Sequence, residues 1–478
     1  MTSTRVAVVG GGISGLAAAY RLRMLLRPDA EIVLIEGSRR LGGALRTVEL
    51  AGLALDVGAE AFLMRRPEAL RLVEELGLRG ELVHPTPAAP TVRAGGRTAA
   101  LPTRTVLGLP SAATDVAGLL SEQGVAQVAA EPTVPLYWEP GQDAAVGLLL
   151  RERAGRELVD RLVDPLLGGV YAGRADALGL RATLPAVASA LDRGAGSLLA
   201  AAKTVLAAGQ LTAGDRQLPV FGTLRGGLGG LLDTLVAAAG IRPRLGAPVR
   251  GLARTAAGWR LELGSAHRPE CLDAGAVLLA VPAPALRRLL ADPLPVASAA
   301  AGRVEVASSA VVGLALPLPA AQALPPASGV LVAAAEPQEE SLSVKAFTFS
   351  GRKWGHASSP DVLLVRASLG RHGEARVLQR DDAELVEVVR ADLAALTGIT
   401  AAPVDTVVAR WGGGLPQYAP GHRDAVAALE NAVAQVPGLA VAGALLHGVG
   451  VPACIATAEA AALRIAAYLG AGIPAVGG

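Results

Sequence analysis

A short apolar run near the start of the chain is followed by glycines and then by strong helix formers. Residues 5–9 have the pattern of a buried parallel strand, residues 10–15 form a glycine-rich turn, and residues 16–22 favour a helix. A second apolar run, residues 31–35, ends at Glu36. The order strand, glycine turn, helix, strand and acid is that of a βαβ unit that binds a dinucleotide.

Each glycine of this turn has its own expected role. Gly10 allows the tight turn, Gly12 lets the backbone approach a pyrophosphate, and Gly15 lets the helix pack on the strand. The phosphates would lie at the helix N-terminus, where free N–H groups and the helix dipole favour anions. Glu36 would accept from the ribose hydroxyls and disfavour a 2′-phosphate. A glycine turn without a ligand is the alternative, which the complete βαβ context disfavours.

Apolar patterns farther along the chain predict two kinds of unit. Residues 88–214 are predicted to be helical and loop-like, with helices at residues 144–155 and 156–167. A helix through Ala239 follows, and the later strands are predicted at residues 244–252, 259–263, 276–281, 310–315, 329–333, 343–349, 362–368 and 437–443. The last two predicted helices span residues 382–397 and 453–469.

Composition narrows the class of protein without identifying it. A chain of 478 residues, of which 51% are apolar, fits two or three domains. A formal charge of +2 is too small for a surface that binds nucleic acid, so no nucleic-acid partner is expected. Lysine occurs only at Lys203, Lys345 and Lys353, so arginine supplies nearly all of the positive charge.

The spacing of cysteines and histidines excludes two further kinds of site. Cys271 and Cys454 lie far apart, which excludes a disulfide framework and is consistent with a reducing cytoplasm. The six histidines lack metal-ligand spacing, so no metal is expected. The N-terminus has the pattern of a strand rather than of a signal peptide. Prolines interrupt the least charged stretch, residues 306–335, so no integral membrane segment is expected.

The residues that follow Glu36 separate FAD from NAD. Residues 40–47 resemble the element that follows the nucleotide-binding acid in glutathione-reductase-type flavoproteins such as amine oxidases. Ala44 stands where many members have arginine or lysine, so no side-chain contact to the flavin is expected there. Residues 56–60 resemble the segment that passes alongside the isoalloxazine ring, although an ordinary strand end has the same pattern.

This resemblance implies an α/β fold with a Rossmann-type FAD-binding domain of the glutathione-reductase/amine-oxidase kind. An antiparallel-sheet substrate domain and a helical insertion would complete it. The FAD-binding domain would comprise residues 1–87, 215–298 and 405–478, the helical insertion residues 88–214, and the substrate-binding domain residues 299–404.

The resemblance also implies which residues bind FAD, without a covalent bond. Backbone at Val249 would touch adenine, and the helix start at residues 449–451 would face the pyrimidine edge of the flavin, although a plain helix cap has the same pattern. The implied cofactor-binding residues are Gly10, Gly11, Gly12, Ile13, Ser14, Gly15, Glu36, Gly37, Arg40, Gly43, Ala44, Val57, Gly58, Ala59, Glu60, Val249, Trp411, Val449, Gly450 and Val451.

Motifs outside the nucleotide-binding unit resemble those of the protoporphyrinogen and coproporphyrinogen III oxidase family over nearly the full length. The most diagnostic are Gly-Val-Tyr-Ala-Gly at residues 169–173, and Pro-Gln-Tyr with a following Gly-His at residues 416–422. Ala444 and Ala453 depart from the asparagine and aspartate of many relatives, which removes polar side chains near the expected flavin edge. The other matching segments are residues 101–110, 221–228, 347–354, Trp411 and residues 448–455.

Within that family, the chain is most similar to the coproporphyrinogen III oxidases of Gram-positive bacteria. The implied reaction of heme biosynthesis oxidises a porphyrinogen to a porphyrin, with molecular oxygen as acceptor and hydrogen peroxide as product. No catalytic side chain is nominated, because the cofactor carries the chemistry. Protoporphyrinogen IX as substrate, another enzyme of this fold such as an amine oxidase or carotenoid desaturase, and a flavoprotein without redox function remain open.

The implied substrate is flat and apolar and carries propionates, so its pocket should be apolar and edged with arginine. Arg104 and Arg174 are the predicted propionate-binding residues, although a solvated surface role fits either equally well. The predicted walls are Tyr171, Leu331, Phe347 and Phe349. The expected partners are a porphyrinogen and molecular oxygen in the cytoplasm, with a transient contact to the next heme-pathway enzyme left open.

Overall fold

The computed structural model describes residues 5–213, 219–265, 267–333 and 341–470, so the predicted boundary between residues 214 and 215 lies outside the described residues. Its strands, in chain order, are β1 (Arg5–Val9), β2 (Glu31–Ile35), β3 (Thr47–Leu50), β4 (Leu53–Asp56), β5 (Phe62–Leu63), β6 (Leu82–Val83), β7 (Pro90–Ala94), β8 (Arg97–Ala100), β9 (Thr105–Val106), β10 (Leu109–Pro110), β11 (Phe221–Leu224), β12 (Val249–Thr255), β13 (Gly258–Ser265), β14 (Arg268–Ala274), β15 (Ala276–Leu279), β16 (Val306–Pro317), β17 (Gly329–Val332), β18 (Val344–Thr348), β19 (Val362–Leu369), β20 (Asp405–Pro416) and β21 (Leu439–Val441).

The described helices alternate with these strands, and residues Val159–Val163 form a π-helical turn between two of them. In chain order they are α1 (Ile13–Leu25), α2 (Pro67–Glu75), α3 (Glu122–Ala130), α4 (Val146–Ala154), α5 (Arg156–Leu158), α6 (Asp164–Tyr171), α7 (Leu180–Thr183), α8 (Pro185–Asp192), α9 (Leu198–Ala213), α10 (Gly229–Ala239), α11 (Ala283–Leu290), α12 (Pro295–Gly302), α13 (Leu318–Ala321), α14 (Ser350–Lys353), α15 (Asp382–Thr397), α16 (His422–Ala434) and α17 (Val451–Tyr468).

A four-stranded parallel sheet, with the helices and the small sheet packed on its two faces, forms the nucleotide-binding part. Its strand order is β2-β1-β15-β21, so segments that are far apart in sequence lie side by side. Helices α1, α10 and α17 pack on one face, and α11, α12, α16 and the antiparallel sheet β12-β13-β14 pack on the other. Because both faces are covered, β1 is apolar along almost its whole length.

A seven-stranded sheet, in the order β20-β16-β19-β18-β17-β7-β8, forms the second layered unit. Its neighbouring strands are antiparallel except for β17 and β7, which run parallel. Helix α15 packs on one face and shares its core with residues of β16 to β19. The hairpin β3-β4 covers part of the opposite face. This sheet corresponds to the predicted antiparallel-sheet domain.

Sheet membership differs from the predicted segments at two places. The hairpin β7-β8 comes from the stretch predicted to be helical and loop-like, and β20 comes from the predicted third FAD-binding segment, yet all three strands belong to the seven-stranded sheet. Gly95 and Gly96 have positive φ values of +54° and +70°, which is the backbone of a tight hairpin turn. β20 pairs with β16 along most of its length.

Most other predicted elements are present, some with shifted ends. β1, β2 and α15 have the predicted bounds. The start of α15 is fixed by a capping box in which the side chains of Asp381 and Glu384 each accept from the other's backbone N–H. β12 begins only at Val249, because Pro248 has no N–H to contribute to a strand. Helix α6 ends at Tyr171 because Ala172 adopts a left-handed backbone with φ +50°.

Helix α17 is, among the described helices, long and apolar enough by length and composition to cross a membrane. Most of its residues are buried within the protein, and residues such as Ile455, Ala458 and Ala462 share an apolar core with α1. A core helix of a folded protein has the same composition. Its apolar surface is therefore explained by its packing in the nucleotide-binding part.

Helices α3 to α9 form a helical part with its own apolar core, and the ion pair of Arg153 with Glu131 is buried there. Arg153 on α4 donates to the carboxylate of Glu131 at 2.9 Å, and it also donates to the carbonyls of Val134 and Pro135. Glu131, which is fully buried, accepts from the N–H of Leu198 at the start of α9. This pair fixes the start of α9 against α4.

Removing one partner of this pair should destabilise the helical part strongly. Arg153→Met leaves the Glu131 carboxylate buried without its counter-charge, which typically lowers the free energy of unfolding by about 3–5 kcal/mol. Arg156→Ala is the matched control, because its side chain is 81% exposed and pairs with Asp160 at helix spacing. That substitution should change the free energy of unfolding by no more than about 0.5 kcal/mol. Denaturant titration followed by circular dichroism compares them, and equal midpoints would contradict the expectation.

Candidate cofactor and substrate site

A cleft of about 350 Å³ opens beyond the carboxyl ends of the parallel strands. In open α/β sheets, ligands bind at this edge. The cleft brings together the three predicted segments of the nucleotide-binding part. Its predicted residues are Gly10, Gly12, Ile13, Ser14, Glu36, Gly37, Gly43, Ala44 and Val249. Gly11 and Gly15, which were also predicted, belong to the same turn but do not line the cleft.

The glycines of the turn have different physical reasons for lacking a side chain. At Gly10, which has φ +110°, a Cβ atom would lie 2.2 Å from the carbonyl oxygen of Ala280. At Gly15 a Cβ atom would lie 1.8 Å from the carbonyl oxygen of Gly10. At Gly12 the nearest atom would be the Cα of Gly43, at an ordinary 3.8 Å. Gly10 and Gly15 are therefore required by the fold, whereas Gly12 faces open space.

The first turn of α1 presents backbone donors to this space. Gly12 is the N-cap of the helix, and no side chain caps its free N–H groups. Glu36 borders the same turn, where its carboxylate accepts from the N–H of Gly11 at 2.6 Å and of Ser38 at 2.7 Å. Each carboxylate oxygen retains a further lone pair. An anion at the helix start and a hydroxyl at Glu36 would both find partners.

The segment that follows the acid lies directly across the cleft. Gly42 donates to the carbonyl of Gly11, so the two glycine-rich segments are joined by a backbone hydrogen bond of 2.8 Å. Arg40 donates to the carbonyl of Gly43, and its guanidinium lies 5.3 Å from the ring centre of Trp411. Arg40 and Trp411 therefore contact each other behind the lining residue Gly43, although neither lines the cleft itself. Ala44 is exposed and lines the cleft.

The predicted flavin-side segment, residues 57–60, is held from the seven-stranded sheet. Trp411 donates to the carbonyl of Val57 at 2.9 Å, and Arg366 donates to the carbonyl of Gly58 at 2.6 Å. Glu60 forms ion pairs with Arg366 and Lys353. Burial alone would raise the pKa of Glu60, but the adjacent cations outweigh burial and hold it at about 2. Ala59 donates to the carbonyl of Ala44, which completes the attachment.

A buried carboxyl supports the same segment from below. Asp56 accepts from the hydroxyl of Thr47 and from the N–H of Leu228, ahead of α10. Burial raises the pKa of Asp56 to about 6, although these hydrogen bonds favour its charged form. The carboxyl therefore ties the hairpin β3-β4 to the start of α10.

The start of α17 also points unpaired backbone donors outward. Gly450 is its exposed N-cap, no side chain caps the helix, and Val451 is buried in the core behind it. Val449 packs against the core of the helical part. Cys454, one turn into the helix, lines the cleft, and burial raises the pKa of its thiol to about 11. A thiol of this kind is a poor nucleophile near neutral pH.

The two most diagnostic sequence motifs contact each other. Gln417 donates to the carbonyl of Tyr171 at 2.8 Å, and the rings of Tyr171 and Tyr418 lie 5.5 Å apart. Tyr418 stacks on His422, with ring centres 3.9 Å apart, and donates to the carbonyl of Ala444 beside the cleft. These residues join the helical part, the seven-stranded sheet and the cleft at one point.

The predicted wall residues of the substrate pocket separate into two groups. Tyr171 and Leu331 both lie at the core of the helical part, where Leu331 is partly buried. Phe347 and Phe349 instead lie in the core beneath the sheet, packed with residues of α15. Side chains alternate between the two faces of a sheet, and residues paired across neighbouring strands share a face. Phe347 on β18 pairs with Ala367 on β19, and both belong to the core that α15 covers. Both phenylalanines therefore pack in the structural core, and their contact with a substrate stays a prediction.

The two predicted propionate-binding arginines are in different environments. The side chain of Arg104 is 71% exposed and lies 3.6 Å from the carboxylate of Asp115. Arg174 forms ion pairs with Asp164 and Glu374. Arg174 is thus already neutralised by carboxylates, and solvent screens Arg104. Their role toward a substrate stays a prediction, with less support than the sequence suggested.

Several lining residues were not predicted from the sequence. Residues 280–282 follow β15 and residues 443–445 follow β21, so both loops lie at the carboxyl edge of the sheet. Arg366 was also missed, although it binds the flavin-side segment. The apolar strand that ends at residue 281 was a usable signal, since loops after parallel strands border the ligand. No local pattern marked Arg366.

These residues fit a flavin dinucleotide. The open space at Gly12 and the uncapped start of α1 suit a pyrophosphate, and Glu36 suits a ribose. The flavin-side segment and the start of α17 offer backbone groups for the ring. Among the described residues, no group of three or more histidine, cysteine, aspartate or glutamate side chains is arranged to hold a metal ion.

Comparisons with known proteins agree with this geometry. The coproporphyrinogen III oxidase of Mycobacterium leprae is 47% identical over 463 residues, which cover 96% of this chain and 97% of that protein. The coproporphyrinogen III oxidase of Bacillus subtilis is 30% identical, with 97% and 98% covered. A crystal structure of a candidate protoporphyrinogen oxidase from Exiguobacterium sp. 255-15 superposes with a TM-score of 0.83 at 31% identity, covering 98% of this chain and 99% of that one.

The family model for flavin-containing amine oxidoreductases matches residues 13–466, which is nearly the whole chain. The matched region begins at the first residue of α1 and ends within α17, so it includes most of the three segments that border the cleft but not β1 and the glycines before α1. The α/β fold with an amine-oxidase-type nucleotide-binding part, predicted from the sequence, is confirmed, as are FAD as cofactor and oxidase as enzyme class. The chain belongs to the flavin-containing amine oxidoreductase family.

Proposed function

We propose that this chain oxidises coproporphyrinogen III to coproporphyrin III in heme biosynthesis, with non-covalent FAD and molecular oxygen, and releases hydrogen peroxide. The observation that carries the proposal is the 47% identity to a coproporphyrinogen III oxidase over nearly the whole of both chains. The contact between the motifs around Tyr171 and Tyr418 supports it, because Pro416 lines the cleft and Tyr418 donates to the carbonyl of the lining residue Ala444. The exposed free thiol of Cys271 is consistent with a cytoplasmic location.

The chain's own residues bind and orient rather than transfer protons. The bound flavin supplies hydride acceptance and its reoxidation by oxygen. The start of α1 and Glu36 would hold the dinucleotide in the cleft, and Arg366 and Trp411 fix residues 57–60 by hydrogen bonds to the carbonyls of Gly58 and Val57. No side chain of the cleft is nominated as an acid or base, since formation of an aromatic macrocycle provides the driving force.

Protoporphyrinogen IX is the second candidate substrate, favoured by the 31% identity and close superposition with the Exiguobacterium protein. It carries two propionates where coproporphyrinogen III carries four. The two substrates therefore differ in how many carboxylates the pocket must accommodate. A pocket with several cations would favour coproporphyrinogen III.

A comparison of the two porphyrinogens tests the proposal. We expect kcat/KM to be at least about tenfold higher for coproporphyrinogen III, because one charge-assisted hydrogen bond contributes about 1.5–3 kcal/mol. Porphyrin fluorescence in air gives the rate, and an enzyme-free sample gives the rate of spontaneous oxidation. A preference for protoporphyrinogen IX would support the second candidate, and turnover of neither would refute the proposed activity.

Substitution of Gly12 tests the cofactor site. Gly12→Val should abolish retention of FAD while the protein still folds, because the new side chain enters the space that a pyrophosphate needs. The ratio of flavin absorbance to protein, with circular dichroism for folding, measures the effect. Gly230→Ala is the control, since a Cβ atom there meets nothing within 4 Å. Normal flavin content in Gly12→Val would show that the cofactor lies elsewhere.

Denaturation tests how FAD is attached. The purified protein should be yellow and should release intact FAD when unfolded, because the raised pKa of Cys454 keeps its thiol protonated. Absorbance and mass spectrometry of the supernatant after precipitation measure the released cofactor. Flavin that stays on a peptide containing Cys454 would contradict non-covalent binding.

A further inference from the structure

Lys345 is a buried amine without a counter-charge. Its side chain belongs to β18 and the residue is only 7% exposed. The amine donates to the carbonyl of Gly370 at 2.9 Å. Within the described residues it forms no ion pair with a carboxylate. A buried ammonium normally requires such a partner, so its presence here needs an explanation.

The neighbouring charges increase this imbalance. Burial, together with the positive charges of Arg371 and Arg366, lowers the pKa of Lys345 to about 8. Arg366 is neutralised by Glu60, and Arg371 lies 3.3 Å from the carboxylate of Asp164. The carboxylates of Glu60 and Asp164 are thus bound to arginines. A third buried carboxylate, that of Asp392 on α15, accepts from the N–H groups of Ser343 and Val344.

The position of Lys345 in the sheet places it between the cofactor segment and the helical part. A bulge between Val344 and Ala346 interrupts the pairing of β18 with β19, and Lys345 is the extra residue. Val344 belongs to the core beneath the sheet with α15. Leu331, which pairs with Ala346, packs against the helical part on the other side.

Two residues near Lys345 connect it to both borders of this region. Arg366 reaches the flavin-side segment at Gly58. Arg371 reaches Asp164 on α6, the helix that ends at Tyr171. The amine therefore lies where the seven-stranded sheet faces both the cofactor segment and the diagnostic motif of the helical part.

We propose that Lys345 binds a carboxylate of the substrate and thereby determines specificity for porphyrinogens rich in propionates. The inference rests on the proposed function. A substrate carboxylate would supply the negative partner that Lys345 lacks among the described residues. Its binding would both neutralise the buried ammonium and anchor the macrocycle. Lys345 binds substrate in this role and takes no part in proton transfer.

The charge of the amine gives the role a pH signature. Below about pH 8 the free enzyme carries the ammonium, and above it the amine loses its charge and with it the attraction for a carboxylate. The profile of kcat/KM reports groups of the free enzyme, so it should fall as the pH rises through 8. Arg371 stays charged through this range although burial lowers its pKa, and the pKa of Glu60 lies far below the range.

Three variants test the proposal with coproporphyrinogen III. Lys345→Met should raise KM about tenfold or more with kcat changed little, since the lost interaction is made in the bound substrate as well as in the transition state. Lys345→Arg keeps a charge and should keep part of the affinity, and its kcat/KM should stay level through pH 8. Lys203→Met is the control, because Lys203 is exposed on α9 and should leave every constant unchanged.

Flavin content and circular dichroism establish that each variant is folded, and fluorescence titration with coproporphyrin III gives affinity without turnover. If Lys345→Met does not fold, the pH profile of Lys345→Arg decides alone. A lowered kcat with unchanged KM, unchanged affinity for coproporphyrin, or a fall in kcat/KM near pH 8 that persists in Lys345→Arg would overturn the role of Lys345. Failure of the parent protein to oxidise either porphyrinogen would instead refute the proposed function, and the inference with it.

Discussion

The pairing of β15 with β1 is the constraint on which the rest of the structure depends. These strands are far apart in sequence, and their pairing places the carbonyl of Ala280 against the glycine turn after β1. The carbonyl lies so close to Gly10 that no side chain fits, which forces the chain into a left-handed turn and directs α1 over the sheet. The open space at Gly12 exists only because this turn is fixed.

The same reliance on close backbone approach recurs wherever separate parts meet. A Cβ atom at Gly58 would lie 2.0 Å from the carbonyl of Ala44, and one at Gly173 would lie 2.4 Å from the amide oxygen of Gln417. At the second of these joints the rings of Tyr171 and Tyr418 lie 5.5 Å apart. The diagnostic motifs therefore hold the parts of the protein in register, which explains why residues of little chemical reactivity mark the family so well.

Local sequence predicted most of the nucleotide-binding part, because its signals are local. A continuous apolar run, a glycine turn and the capping box of α15 each act within a few residues. Sheet membership was harder, since β20 joins β16 through contacts across about a hundred residues of sequence. The turn of the hairpin β7-β8 is marked locally by Gly95 and Gly96, because two adjacent glycines favour a tight turn between strands. The face of Phe347 could not be predicted, because the bulge at Lys345 shifts the alternation of β18.

The buried cations of this protein are used in two ways, and the difference follows from their chemistry. Arg153 and Arg366 each donate to several acceptors that the fold itself supplies, which suits the fixed fork of a guanidinium. Lys345 has one carbonyl partner, and an ammonium can redirect its remaining donors toward an arriving ligand. In a chain that otherwise uses arginine almost everywhere, a buried lysine at this position supplies a charge that is not already neutralised within the fold. Arginines that hold the pocket together cannot also bind substrate without releasing the carboxylates they hold.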